Sequence, residues 1–301
     1  MEKIFLLFAQ VFFILLLAPL VSGLIKKVKN NLRMRKGSSI FQPYYNFVKL
    51  CSKGQVVSKD TSWIFTATPY IVLASSLCAC FFLPIFSPGL SLNSAGDLLA
   101  ILFIFALGRF FLALAGLDAA SAFGGMGSSR EMFISSLAEP AAFAALFVVG
   151  MNSGSTSAVA AATRESIFRA STLLAGLAFF MVVIAETSRI PVDNQETHLE
   201  LTMVHEAMVL EYSGRPLAVL ELAGALKQSI LFIILSWFLF LSFNSGPGQW
   251  LQLPLKILAI STIIALLEVS LAKMRLFRAV DYFGFAFFVA LLAAVAACMG
   301  M

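Results

Sequence analysis

The chain is 301 residues long, 60% hydrophobic and only 12% charged, and it contains 30 Phe. A soluble domain of this size is about 25% charged, so a water-soluble enzyme or nucleic-acid-binding domain is excluded and lipid is the solvent. The formal net charge of +5 is a matter of loop topology.

Apolar runs of about twenty residues match a hydrocarbon core of about 30 Å. They fall at 3–25, 63–86, 97–118, 131–151, 168–187, 217–243, 251–272 and 281–300. These predict an all-α integral membrane protein with eight transmembrane helices, a single polytopic domain over 1–301. The first run is too long for a signal peptide and its basic cluster follows it, so it is expected to be retained. That cluster, "KKVKNNLRMRK", holds Lys26, Lys27, Lys29, Arg33, Arg35 and Lys36. It opens the first of four basic connections, 26–62, 118–131, 186–216 and 272–281. The alternate loops "SPGLSLNSAG" and "NSGPGQ" carry no charge, and "NSGSTSAVAAATRES" carries only Arg164 and Glu165. Basic loops stay in the cytoplasm, which predicts an N-out/C-out chain with the four connections as a cytoplasmic docking face.

Within the first connection, Phe41, Tyr44, Tyr45 and Val48 recur at helical spacing beside Lys49 and Lys53. This predicts a short amphipathic cytoplasmic surface helix. The second, "GLDAASAFGGMGSSRE", reads as a polar Gly-rich loop. Cys51, Cys78, Cys80 and Cys298 show neither a CxxC pair nor iron–sulfur spacing, so no redox cofactor is expected on this chain. The absence of an internal repeat disfavours a stand-alone secondary transporter.

Among the ionisable residues within the apolar runs, seven are the candidates: Arg109, Glu139, Glu186, Glu221, Lys227, Lys256 and Glu268. Each costs about 2.5–3.5 kcal/mol at a helix centre, so they are expected to face the bundle interior and to be functional. Arg109 and Glu139 lie nine and eight residues from the inner ends of neighbouring antiparallel runs. Both are therefore about 12–14 Å deep at 1.5 Å per residue, and an Arg109–Glu139 pair is expected. Glu186 is placed at the cytoplasmic edge, Glu221 and Glu268 about 8 Å in, and Lys227 near mid-membrane. Lys256 near the outer end is expected to snorkel. The acids thus form a descending series, the pattern of a proton half-channel. Arg109 and Lys227 would adjust how readily those acids hold a proton.

The most acidic connection is "AETSRIPVDNQETHLELTMVHEAMVLEYSG". Glu186 and Arg189 stand at i,i+3, suited to a salt bridge, and Pro191 ends the helix. If 193–208 is helical, Asp193, Glu196 and Glu200 share one face while His198 and His205 share the opposite one. No metal site is expected from that split. With Glu211 and Tyr212, the acidic face makes a funnel above the buried acids.

"AETSRIPVDNQETHLEL" and "EYSG" resemble the E-x-x-R-x-P-F-D … E-x-E-x-E-L … E-Y-S-G pattern of the complex I membrane subunit that docks the peripheral redox arm. "DNQETHLELTMVHEAMVLEYSGRPLA" and "LEVSLAKMRLFRAVDYFGFAF" are more closely similar to hydrogenase-4 component C and formate hydrogenlyase subunit 4, the counterparts in group 4 membrane-bound [NiFe]-hydrogenases. Where the complex I pattern has the second acid of E-x-E-x-E this chain has His198, and "RKGSSIFQP" is shorter than the stretch that helps enclose quinone. The resemblance implies a non-redox anchor in a prokaryotic inner membrane, coupling electron transfer to translocation of protons or Na⁺. Its implied partners are hydrogenase-like large and small subunits, a ferredoxin-like iron–sulfur protein and antiporter-like membrane subunits. The iron–sulfur clusters and NiFe centre would reside in those partners. It implies proton-pathway roles for Glu139, Glu186, Glu221, Glu268, Arg109 and Lys227, and docking roles for Arg189, Asp193, Glu196, His198, Glu200, Glu211 and Tyr212. A quinone-reducing complex I subunit and a purely structural anchor remain open alternatives.

Overall fold

The computed structural model describes residues 2–85, 97–162, 169–193, 203–240 and 249–300. Among them every regular element is helical: α1 (Glu2–Leu32), α2 (Gln42–Cys51), α3 (Trp63–Phe81), α4 (Leu98–Asp118), α5 (Ala122–Ser153), α6 (Ala158–Ala162), α7 (Ala170–Glu186), α8 (His205–Val209), α9 (Gly214–Leu239), α10 (Gln249–Ser270) and α11 (Arg278–Cys298). Hydrocarbon cannot hydrogen-bond a free peptide group, so an apolar run of this length satisfies its backbone internally as a helix.

Seven of these helices are long and apolar enough to cross a membrane: α1, α3, α4, α5, α9, α10 and α11. The run expected at 168–187 forms α7, which is apolar but only 17 residues long. It packs against α5, α9 and α11. Phe179 of α7 is fully buried and stacks on Phe238 of α9, ring centroids 5.3 Å apart. Around that contact Phe232, Ile230 and Leu226 of α9 extend the core toward Ile14, Ala18 and Val21 of α1.

Two expected loops are largely helix. Helix α1 continues through Lys26, Lys27 and Lys29 before ending at Leu32. The stretch expected as a Gly-rich loop at 118–131 turns at Ala119–Ser121 and then enters α5. The Ser121 side chain caps that helix by accepting from Gly124 N at 2.9 Å. Gly124 and Gly127 in it serve close approach. A Cβ on Gly124 would overlap the Gly116 carbonyl oxygen of α4, and one on Gly127 would lie 2.9 Å from Ala207 Cβ of α8. Composition favoured a loop because Gly is a poor helix former; interhelical contact overrides it.

The surface helix expected after the first run is α2, none of whose residues is buried. Tyr45 and Val48 are exposed, and Tyr44 Oη donates to the Leu16 carbonyl of α1. The chain beyond it is stitched to the start of α9. Ser213 Oγ accepts from Val56 N at 2.8 Å, and Arg215 Nε donates to Cys51 O at 3.2 Å. Gly214, at φ +57°, lies so close to Gly54 O that a side chain there has no room.

Candidate functional site

The buried charges gather into two networks. In the first, Arg109 of α4 is held between acids from two other helices. Its Nη1 lies 3.1 Å from Glu139 of α5 and its Nη2 lies 2.9 Å from Glu186 of α7. The Glu186 carboxylate also takes Lys227 of α9 at 2.7 Å, while the Lys227 ammonium stands 5.9 Å above the Phe105 ring. Gly108 lets α4 approach α3 closely enough for a Cβ there to lie 2.7 Å from Ser75 Oγ, which seats Arg109 inside the bundle.

In the second, Glu268 of α10 accepts from Arg189 at 2.6 Å and from Lys29 of α1 at 2.8 Å. Arg189 also donates to Gln228 Oε1 at 3.2 Å, and Ser22 donates to that same oxygen at 3.2 Å. Lys227 and Gln228 are consecutive in α9, which therefore places one side chain in each network.

Between the networks lies a cavity of about 380 Å³. Arg109, Glu186, Lys227, Arg189, Gln228, Glu221, Glu131 and His205 all contribute to its wall. Arg109 Nε, Arg189 Nε and Gln228 Nε2 are buried and have no hydrogen-bond partner among the described residues. Leaving such a donor unsatisfied costs about 1–3 kcal/mol, so these walls suit bound water.

The expected Arg109–Glu139 pair is present. The expected Glu186–Arg189 bridge is replaced: each residue pairs elsewhere, because α7 ends at Glu186 and Ser188, at φ +51°, turns Arg189 toward α9 and α10. The expected grading in depth changes too. Glu186, assigned to the membrane edge, shares one guanidinium with Glu139, so those acids are neighbours rather than successive steps. Glu268 belongs to the other network. Glu221 is exposed along the cavity wall and forms no ion pair with a described residue.

Above the networks, Asp193 accepts from Lys273 at 2.7 Å and from the His205 backbone N–H at 3.3 Å. Glu196, His198 and Glu200 lie outside the described residues. Of the stretch predicted as one helix over 193–208, the described part holds only α8. Glu211 accepts from Ser121 Oγ. Tyr212, expected in the funnel wall, is instead a packing residue. It is 4% exposed, stacks on Phe65 with centroids 4.1 Å apart, and donates to Phe65 O at 3.0 Å. Burial pushes its phenol pKa up.

Sequence reasoning missed Lys29, Gln228 and Glu131 as site residues. Lys29 reads as one more topology charge, and Gln228 carries no charge to flag it. Glu131 is the first residue of an apolar run whose helix in fact begins at Ala122. It stands 3.9 Å from His205 Nδ1. Burial alone would lower the His205 pKa, but the Glu131 carboxylate beside it outweighs that and the net direction is up.

A family model described as NADH dehydrogenase matches residues 4–299. Formate hydrogenlyase subunit 4 of Escherichia coli (strain K12) is 32% identical over 297 residues, covering 92% of this chain and 95% of that protein. Hydrogenase-4 component C of the same strain is 32% identical over 266 residues, 87% of this chain and 82% of the relative. In fold, the chain matches a solved structure titled "Structure of the membrane-bound sulfane sulfur reductase (MBS), an archaeal respiratory membrane complex". The TM-score is 0.83 at 19% identity, with 99% of this chain and 100% of that one covered. The chain is thus a multi-pass membrane protein of the NADH dehydrogenase family, similar along most of its length to formate hydrogenlyase subunit 4 and hydrogenase-4 component C.

Proposed function

We propose that this chain is the non-redox membrane anchor of a group 4 [NiFe]-hydrogenase-type complex and couples its electron transfer to translocation of protons or Na⁺. Basic connections facing the cytoplasm of a prokaryotic inner membrane, with both termini outside, would form the dock. Its partners would be hydrogenase-like large and small subunits, a ferredoxin-like iron–sulfur protein and antiporter-like membrane subunits, which would hold the metal centres. The similarity to hydrogenase-4 component C and formate hydrogenlyase subunit 4 supports this choice over a quinone-reducing complex I.

One observation carries the coupling: Glu186 is bound at once by Arg109 and Lys227 at the wall of a polar cavity. Burial favours a neutral acid and an adjacent cation favours the carboxylate. Displacing Lys227 from Glu186 would therefore let the acid take a proton, and its return would expel it. A redox change in the docked arm that moved α9 or repolarised the cavity would drive that cycle. Glu139 extends the path from Glu186, and Arg109 sets the charge between the two acids.

The test is Glu186→Gln and Glu139→Gln in the intact complex reconstituted into liposomes. Ion uptake per hydrogen turned over should fall about tenfold while the subunits still assemble. An unchanged ratio in both variants removes the relay. A purely structural anchor is the second reading, favoured by Glu268, which Lys29 and Arg189 hold as a closed buried triad.

A further inference from the structure

The cavity needs a route by which protons reach Glu186 from the docking side, and two acidic walls compete for that role. Glu221 is exposed but meets no described ionic partner. Glu131 and His205 face each other across 3.9 Å, with side chains 14% and 29% exposed. They belong to different elements: Glu131 to α5, which also carries Glu139, and His205 to α8, inside the most acidic connection. We propose that the Glu131–His205 pair is the proton port joining the docking surface to this cavity, an inference that rests on the relay reading above.

Geometry supports the assignment beyond mere proximity. His205 is held from two sides: its backbone N–H donates to Asp193, which is itself tied to Lys273, and α8 packs against both α4 and α5. On α5, Arg130 Nη1 donates to Met203 O at 2.8 Å, fixing the chain just ahead of α8. The charged groups around the imidazole are Glu131 and Arg130 from α5, Arg109 from α4, Lys227 from α9, Glu206 on α8 itself and Asp193 in the adjoining loop. Glu131 is the acid within reach of the ring, and Arg109 and Lys227, the two cations that hold Glu186, stand beyond it on the same cavity wall. Imidazole titrates near neutrality, whereas Glu221 has no such group poised beside it.

In a transfer, neutral His205 bearing a proton on Nδ1 accepts a second proton at Nε2 from water on the docking side. The imidazolium then gives its Nδ1 proton to the Glu131 carboxylate, leaving the Nε2–H tautomer and a neutral acid. At 3.9 Å the step passes through one bridging water or follows a small approach of α8. Glu131 releases the proton into the cavity toward Glu186; the ring then turns toward the docking side, where water takes the Nε2 proton and returns one to Nδ1, restoring the starting tautomer. One proton moves and no electron does.

The experiment compares His205→Gln, Glu131→Gln, Glu221→Gln and Glu186→Gln in the complete complex in liposomes, reading protons moved per hydrogen turned over across pH 5.5–8.5. His205→Gln and Glu131→Gln should each lower the ratio at least fivefold and flatten its pH dependence, and Glu221→Gln should not. If one of the pair fails to assemble, the other reads the same prediction. If Glu186→Gln abolishes the ratio while both port variants keep it and its pH profile, protons reach the cavity elsewhere and the relay stands. If Glu186→Gln also leaves the ratio intact, relay and port fall together.

Discussion

The two charge networks on neighbouring faces of α9 are built from the same side-chain types but are constructed differently. The triad of Glu268, Lys29 and Arg189 places one carboxylate between two cations, all three 6% exposed or less at the side chain. The network of Arg109, Glu139, Glu186 and Lys227 balances two acids with two bases, and Glu139 and Lys227 are 37% and 20% exposed at its two ends. A closed triad resists change, because removing its single carboxylate strands two buried cations. A balanced chain with accessible ends can pass a proton or swap a partner. Coupling should therefore depend on the second arrangement and assembly on the first.

That contrast can be broken most severely at Glu268. Glu268→Leu leaves Lys29 and Arg189 buried side by side, and the loss should be about 3–5 kcal/mol, seen as failed assembly or a large fall in Tm of the detergent-purified complex. Lys227→Met is the complementary change: ion uptake per turnover should drop about tenfold with little change in Tm, and an equal fall in stability would erase the distinction. Gly116→Val should cost about 1–3 kcal/mol by overpacking, since a Cβ at Gly116 already overlaps Ser128 Oγ across the α4–α5 contact. A fourth test concerns pH. The folded-state pKa of His205 is raised, so its contribution is complete below the ordinary imidazole value near 6.5 and is lost as pH rises through the raised value. Wild-type Tm should decline over that window and His205→Gln should flatten the decline. Tyr212→Phe should have the smallest effect, about 1 kcal/mol for one hydrogen bond, because its stacking on Phe65 remains.

What the sequence made legible follows from physics that acts locally. Apolar runs and the cost of charge in lipid identified the helices and the intramembrane acids, and antiparallel depth alone found Arg109 beside Glu139. Partner choice among the remaining ions was not legible, because it depends on which helices are neighbours. Arg189 is three residues from Glu186 yet pairs with Glu268, 79 residues away. The start of α5 was hidden for a related reason: Gly124 and Gly127 are explained only by the helices they touch. The polar tyrosine of "EYSG" looked exposed, and only the stacked Phe65 shows it to be an internal strut.

The seam between residues 51–56 and the first turn of α9 has a mechanical consequence. Gly214 is pressed against Gly54, and Ser213 and Arg215 grip Val56 and Cys51 on either side. From Gly214 to Lys227 is thirteen residues, about 20 Å of stiff rod. A pull on the short segment after α2 would thereby be carried halfway along α9, to the ammonium seated on Glu186.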